Sequence, residues 1–253
     1  MKKDILYMHI QDSERFVISS GMNFREFAYC LQAPLSNLLL LKHKFDDGEF
    51  NRNTLMEYVN QENVRDLLKE DVKEYGDFCW IDFEEERGLD DLDSTEIAEL
   101  LFLGHCKNHL RPPFYRRLNN EFVYLAHDDG WFNKVYYRSL ETYFKMLGHL
   151  LPIKMESLRM KRTWLGRRKS SEYPPVPAEV FHQLIPLMAE GLVFSFNQAQ
   201  QARNRIEIPA WVVGDYVNMD DMADGYDEIK HQSPNALIVL QHKTKEWSVT
   251  LKS

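Results

Sequence analysis

Short apolar runs separated by polar turns pass along the whole of this chain, and several of them come in pairs. Residues 5–10 and 15–19 are apolar-rich, with Gln11-Asp12-Ser13-Glu14 between them, which predicts an opening β-hairpin. Residues 122–126 and 131–137 flank His127-Asp128-Asp129-Gly130. Asp and Gly tolerate the positive φ of a tight turn, so a second hairpin is predicted there. A third hairpin closes the chain: residues 236–241, then Lys243-Thr244-Lys245, then residues 247–251, where Trp247, Val249 and Leu251 alternate with Ser248 and Thr250. The run 78–83 is aromatic and β-prone, and reads as a central strand. Residues 38–45, closed by Asp46-Asp47-Gly48, read as a buried strand, and 206–213 as a strand with Pro209 near its edge.

Helical spacing fills several of the intervals. Residues 23–31 read as a short helix. Leu55, Tyr58 and Val59, then Val64, Leu67 and Leu68, predict a helix over residues 52–74. The next helix has its start written in the sequence: Asp93 as N-cap and Glu96 at the third helical position form a capping-box pattern. Ile97, Leu100, Leu101 and Gly104 then share a side until Pro112-Pro113 forbids continuation. Residues 139–150 read as helix, as do 178–202 with a break near Pro186 and Gly191. No internal repeat is visible. Paired strands with helices between them, without regular strand–helix alternation, predict an α+β fold of mainly antiparallel hairpins with intervening helices. Length allows one or two domains. The Pro-rich stretch around Pro174-Pro175-Val176-Pro177 separates an N-terminal α+β region, residues 1–169, from a C-terminal one, residues 174–253, that can also pack with it as a single domain.

Composition adds a location. The chain is 253 residues long, 44% hydrophobic and 28% charged, enough apolar material for a folded core. Cys30, Cys79 and Cys106 have no Cys-x-x-Cys spacing, which suits buried thiols in a reducing compartment. The N-terminus lacks the apolar core of a signal peptide. The longest uncharged stretch, residues 27–41, is short of the roughly 20 apolar residues of a membrane span. The expectation is a soluble, cytoplasmic protein without a membrane partner.

Charge changes the picture more. The formal net charge is −8, but residues 1–100 carry −12, residues 101–172 carry +8 and residues 173–253 carry −4. Lys154, Arg159, Lys161, Arg162, Arg167, Arg168 and Lys169 fall within sixteen residues around Trp164. Such cations release counterions from phosphates, and the ring can stack on an unpaired base. An anion-binding surface facing nucleic acid or an acidic protein is one reading. Pairing with the acidic segment of the same chain, or across a homo-oligomer interface, is the other.

A second cluster concerns metals. His105 and His109 are four apart near a predicted helix end, and His127, Asp128 and Asp129 lie in the predicted turn. Two or three imidazoles with carboxylates could hold a divalent metal and activate a bound water. The alternative is that the histidines extend an apolar face and the Asp-Asp-Gly simply builds the turn. Residues 82–93 are acidic but miss the ligand steps of a calcium loop. No Gly-x-Ser-x-Gly elbow, Walker loop or Gly-x-Gly-x-x-Gly is present, so nucleophilic and nucleotide chemistry lack a motif.

The run from Gly76 to Phe83, then Glu96-Ile97-Ala98-Glu99-Leu100-Leu101 through Gly104-His105, resembles uncharacterised bacillus-type cytoplasmic proteins. Residues 111–115, 122–138 and 209–222 extend that resemblance over most of the chain. Some members carry an oxalate:formate antiporter label, which a chain without a membrane span does not fit. The resemblance implies a bacterial cytoplasmic protein and transfers no catalytic residue. Taken together, the expectation is a non-enzymatic binding or regulatory protein with an anionic partner and no cofactor. A metal-dependent hydrolase-like enzyme and a structural homo-oligomer subunit are the alternatives.

Overall fold

A computed structural model describes residues 4–70, 78–127, 131–162, 173–216 and 218–252, with the backbone alone for residues 157–162 and Met219. Among them are thirteen strands and eight α-helices. In the first half these are β1 (Ile5–Gln11), β2 (Phe16–Ser20), α1 (Phe24–Cys30), β3 (Asn37–Leu40), β4 (Glu49–Asn51), β5 (Met56–Val59), α2 (Gln61–Leu67), β6 (Cys79–Phe83), α3 (Glu86–Asp90) and α4 (Ser94–Cys106). There follow β7 (Phe122–His127), β8 (Phe132–Tyr137), α5 (Leu140–Arg162), α6 (Ala178–His182), α7 (Ile185–Ala189), β9 (Leu192–Ser195), β10 (Gln200–Gln201), β11 (Arg205–Val212), α8 (Met219–Ile229), β12 (Ala236–Gln241) and β13 (Trp247–Leu251). The strands form one antiparallel sheet in the order β13-β12-β11-β9-β1-β2-β8-β7-β6-β3-β5-β4, with β10 beside β11. The fold is α+β with antiparallel pairing, and the three predicted hairpins are β1–β2, β7–β8 and β12–β13. Because β1 pairs with β9, the sheet runs unbroken through residues on both sides of the Pro-rich stretch.

Local chemistry explains where helices start and where the sequence-based expectation went astray. Asp93 accepts the amides of Thr95 and Glu96, both at 2.9 Å, while Glu96 reaches back to the Asp93 amide, so α4 begins as predicted. The helix expected over residues 52–74 begins only at Gln61. Upstream, the Asn51 carboxamide oxygen accepts from the amides of Asn53 and Thr54 and from the Thr54 hydroxyl, and Leu55 takes a left-handed φ of 58°. This side-chain-built turn folds the chain back into β5, which captures Tyr58 and Val59 for the sheet. The expected helix over 178–202 likewise stops early: α7 ends before Gly191, and β9 follows. Pro209 is not near an edge, since β11 lies between β9 and β12. Pairing with β9 starts at Ala210 and pairing with β10 ends at Glu207, so the proline occupies the gap between them.

The sheet also contains a repeat that the sequence hides. A four-strand unit β3, β6, β7, β8 and a second one β9, β11, β12, β13 stand in the same spatial order, with β1 and β2 between them. In each unit a helix precedes the first strand on one face (α1; α6 and α7), and a helix between the second and third strands covers the other (α4; α8). The insertion after the first strand is β4, β5 and α2 in one unit and β10 in the other.

One face of the sheet is covered continuously. Leu6, Met8, Val17, Leu38, Trp80, Tyr124, Val135, Phe194, Ile208 and Ile238 face α1, α5, α6 and α7 in one extended core. The other face is covered in two separate patches. Around Leu39, Ile81, Val123 and Tyr136, α3 and α4 contribute Leu89, Leu100 and Leu103. Around Ile5, Tyr7, Val193 and Trp211, α8 contributes Met222 and Tyr226. The two patches meet at Ile18, which packs on both.

Asp82 is the buried carboxylate of β6. It accepts the amides of Glu121 and Phe122 and so fixes the entry of β7. Burial outweighs these bonds and pushes its carboxyl from 3.8 up to about 6. The folded chain therefore holds this proton more tightly than the unfolded chain, and the carboxyl's contribution to stability is lost as pH rises from about 4 to 6. Asp82→Asn removes that dependence. Urea unfolding of both proteins across this range is expected to show wild type losing roughly 2–3 kcal/mol relative to the variant, with a flat difference above pH 7.

Candidate functional site

The gap between the two helical patches exposes the middle of the sheet. Every residue of β2 is buried except Ile18, and every residue of β8 except Lys134; both are partly exposed. Ile18 pairs with Lys134 on one side and with His9 of β1 on the other. One cross-strand row, His9–Ile18–Lys134, crosses three strands here, about 10 Å at the usual strand spacing, with His9 buried and Ile18 and Lys134 partly exposed; this stretch is called the trough below.

Lys134 is the charged member of this row. Its ammonium lies 4.2 Å from the centre of the Phe16 ring and 5.1 Å from that of Tyr136, with the Asn108 carboxamide oxygen at 3.4 Å. Among the described residues no carboxylate is within ion-pair distance of it. Burial holds its pKa below the ordinary lysine value, with Glu14 opposing. The aromatic faces supply part of the lost solvation, and a partly desolvated ammonium is ordinarily met by a carboxylate in contact with it.

Both lips of the trough come from loops that follow or precede the covering helices. After α4, Lys107 takes a left-handed φ of 53° and turns the chain so that Asn108 and His109 descend onto the sheet. His109 Nδ1 then meets the Tyr136 hydroxyl at 2.8 Å, with the two rings edge to face. Burial lowers the pKa of His109, and Lys134 lowers it further. On the other lip, the Tyr7 hydroxyl donates to Gly214 O at 2.8 Å and accepts the Tyr216 amide at 3.0 Å, which fixes Asp215 nearby. Gly191 permits this approach: it has φ +81°, and a Cβ there would stand 1.8 Å from Gly214 O. His9 is buried in the row, its Nδ1 without a hydrogen-bond partner among the described residues. Burial lowers its pKa, and Asp215 opposes the shift.

The proposed metal residues are divided by this geometry. His105 is exposed on the last turn of α4, and the helix ends at Cys106, so the helical four-residue spacing does not carry through to His109. His127 stacks on Phe132 at 4.4 Å, one end of β8, while His109 meets Tyr136 four residues along the same strand. Asp128 and Asp129 lie outside the described residues. Among the described residues no group of three His, Cys, Asp or Glu side chains is placed to hold a metal ion.

The basic segment is divided too. Lys154 is buried and bonded to Glu26 Oε1 at 2.5 Å, tying α5 to α1. Arg159, Lys161 and Arg162 belong to the last turns of α5, where the backbone alone is described, and Trp164, Arg167, Arg168 and Lys169 lie outside the described residues. Sequence reasoning passed over His9 and Lys134. A signal existed in Phe132-Asn-Lys-Val-Tyr-Tyr137: a lysine in phase with Phe132 and Tyr136 puts a cation on an apolar sheet face.

A second concavity of about 730 Å³ lies beside β3 and the β4–β5 hairpin. Lys42, His43 and Lys44 line it together with Asp46, Glu57 and Glu70, so its charges are mixed. Among the described residues no helix is long and apolar enough to cross a membrane. Searches against family models, curated proteins and solved structures gave no match to this chain.

Proposed function

We propose that this protein is a binding protein for an anionic ligand, which it takes in the trough at Lys134. The supporting observation is the Lys134 ammonium itself: partly desolvated, beside Ile18 where the two helical patches meet, and without a carboxylate in ion-pair distance among the described residues. Charges removed from water are normally paired, because leaving one unpaired costs several kcal/mol. An anion entering the trough supplies the missing partner. His109 and Asn108 stand beside it as hydrogen-bonding groups. The role asks for binding only. The buried thiol of Cys30, pushed up to about 12 by burial, is not poised as a nucleophile.

This reading retains the anionic partner expected from the sequence and moves its contact from residues 154–169 to the sheet. Lys134→Met keeps the aliphatic stem and removes the charge. Calorimetric titration with sodium hexanoate is expected to show saturable binding to wild type and at least a tenfold weaker response in Lys134→Met. The reverse pattern sinks the proposal: binding kept in Lys134→Met and lost when Arg162, Arg167 and Arg168 are changed to glutamate would place the anion site on the basic segment.

A further inference from the structure

Beside its cation the trough offers an apolar floor, and this narrows the ligand. Ile18 sits directly between His9 and Lys134 and is the point at which the two apolar patches of this face meet. It is a β-branched apolar residue on an interior strand, left partly exposed where its same-face neighbours Phe16 and Ser20 are buried. At Lys134 the surroundings are also apolar: the Phe16 and Tyr136 rings flank the ammonium on the same face. A fully hydrated inorganic anion would gain from Lys134 and leave Ile18 in water. An anion with a hydrocarbon body would neutralise Lys134 and cover Ile18 at once.

Resting on the anion-binding reading above, we infer that the ligand is an amphipathic carboxylate, its head on Lys134 beside Asn108 and His109 and its hydrocarbon body across Ile18. Each methylene buried contributes up to about 0.8 kcal/mol, a factor of nearly four in affinity, and half of that where one side stays in solvent.

The test is a series of titrations of the wild-type protein with acetate, butanoate and hexanoate, with inorganic phosphate alongside. Affinity is expected to rise at least tenfold from acetate to hexanoate, and phosphate to bind no better than acetate. In Ile18→Thr, which keeps a β-branched residue on the strand, acetate binding is expected to be unchanged and the gain with chain length to shrink severalfold. If phosphate and acetate bind as tightly as hexanoate, the amphipathic ligand is wrong while the anion site stands. If none of the four binds, both are wrong. A full chain-length gain retained in Ile18→Thr also overturns the inference, since the hydrocarbon would then lie elsewhere.

Discussion

Replacing Trp80 with alanine is expected to lower the unfolding free energy by about 4 kcal/mol. Trp80 is completely buried on β6, at the centre of an aromatic cluster beneath α1. Its ring stacks on Tyr124 of the neighbouring β7, 5.5 Å between centres and 2° from parallel, and Phe24 and Phe27 of α1 pack against it at 5.5 and 6.1 Å. Alanine would remove the slab between strand and helix, and the three large rings around it cannot close on a side chain that small without losing their own contacts. Trp80→Phe leaves most of the volume and is expected to cost less than half as much. Equilibrium urea unfolding measures both. A loss under 1 kcal/mol for the alanine variant would show that this cluster is not the core joining helix to sheet.

The second large effect concerns Glu26 and Lys154. Glu26 serves twice: one oxygen closes the capping box of α1 on the Asn23 amide, and the other meets the buried ammonium of Lys154. Glu26→Gln would take the carboxylate away from that buried ammonium, and the expected cost is about 3 kcal/mol, the range seen when one partner of a buried pair is removed. Lys154→Met keeps the methylene stem packed and leaves Glu26, which is 27% exposed, able to reach solvent. The expected cost there is about 1 kcal/mol. The order of the two is the informative part. If Lys154→Met is the more damaging, the lysine does not hold its charge inside the fold, and its exclusion from the anion-binding surface no longer follows.

Hairpins and capped helices were legible in the sequence because their determinants are local. The Asp-Asp-Gly sequence between β7 and β8, the alternation in β13, and the Asp93–Glu96 box each need only neighbouring residues to be read. Residues 52–59 misled because Leu55, Tyr58 and Val59 satisfy a helical period, while the turn that decides the matter is made by a single carboxamide, that of Asn51. The four-strand repeat escaped for a different reason. Its two copies share order and helix placement, but one carries a hairpin and a helix where the other carries two residues of strand. The trough was hardest of all. It joins His9, Ile18, Lys134 and His109, and cross-strand register, which sets such neighbours, is fixed by long-range pairing that no local pattern records. The charge division along the chain pointed to a concentration of lysines and arginines, most of which lie outside the residues whose side chains are described; the proposed site rests instead on one ammonium of the sheet.

The most direct measurement follows the Lys134 ammonium through a pH titration by NMR, with lysines labelled at Cε and Lys134→Met identifying the resonance. In the free protein its pKa is expected below the ordinary 10.5, because burial disfavours the charged form. Saturating hexanoate should move it upward, since a carboxylate seated against the ammonium stabilises its charge. A Lys134 resonance that titrates identically with and without bound hexanoate would contradict an anion site in the trough.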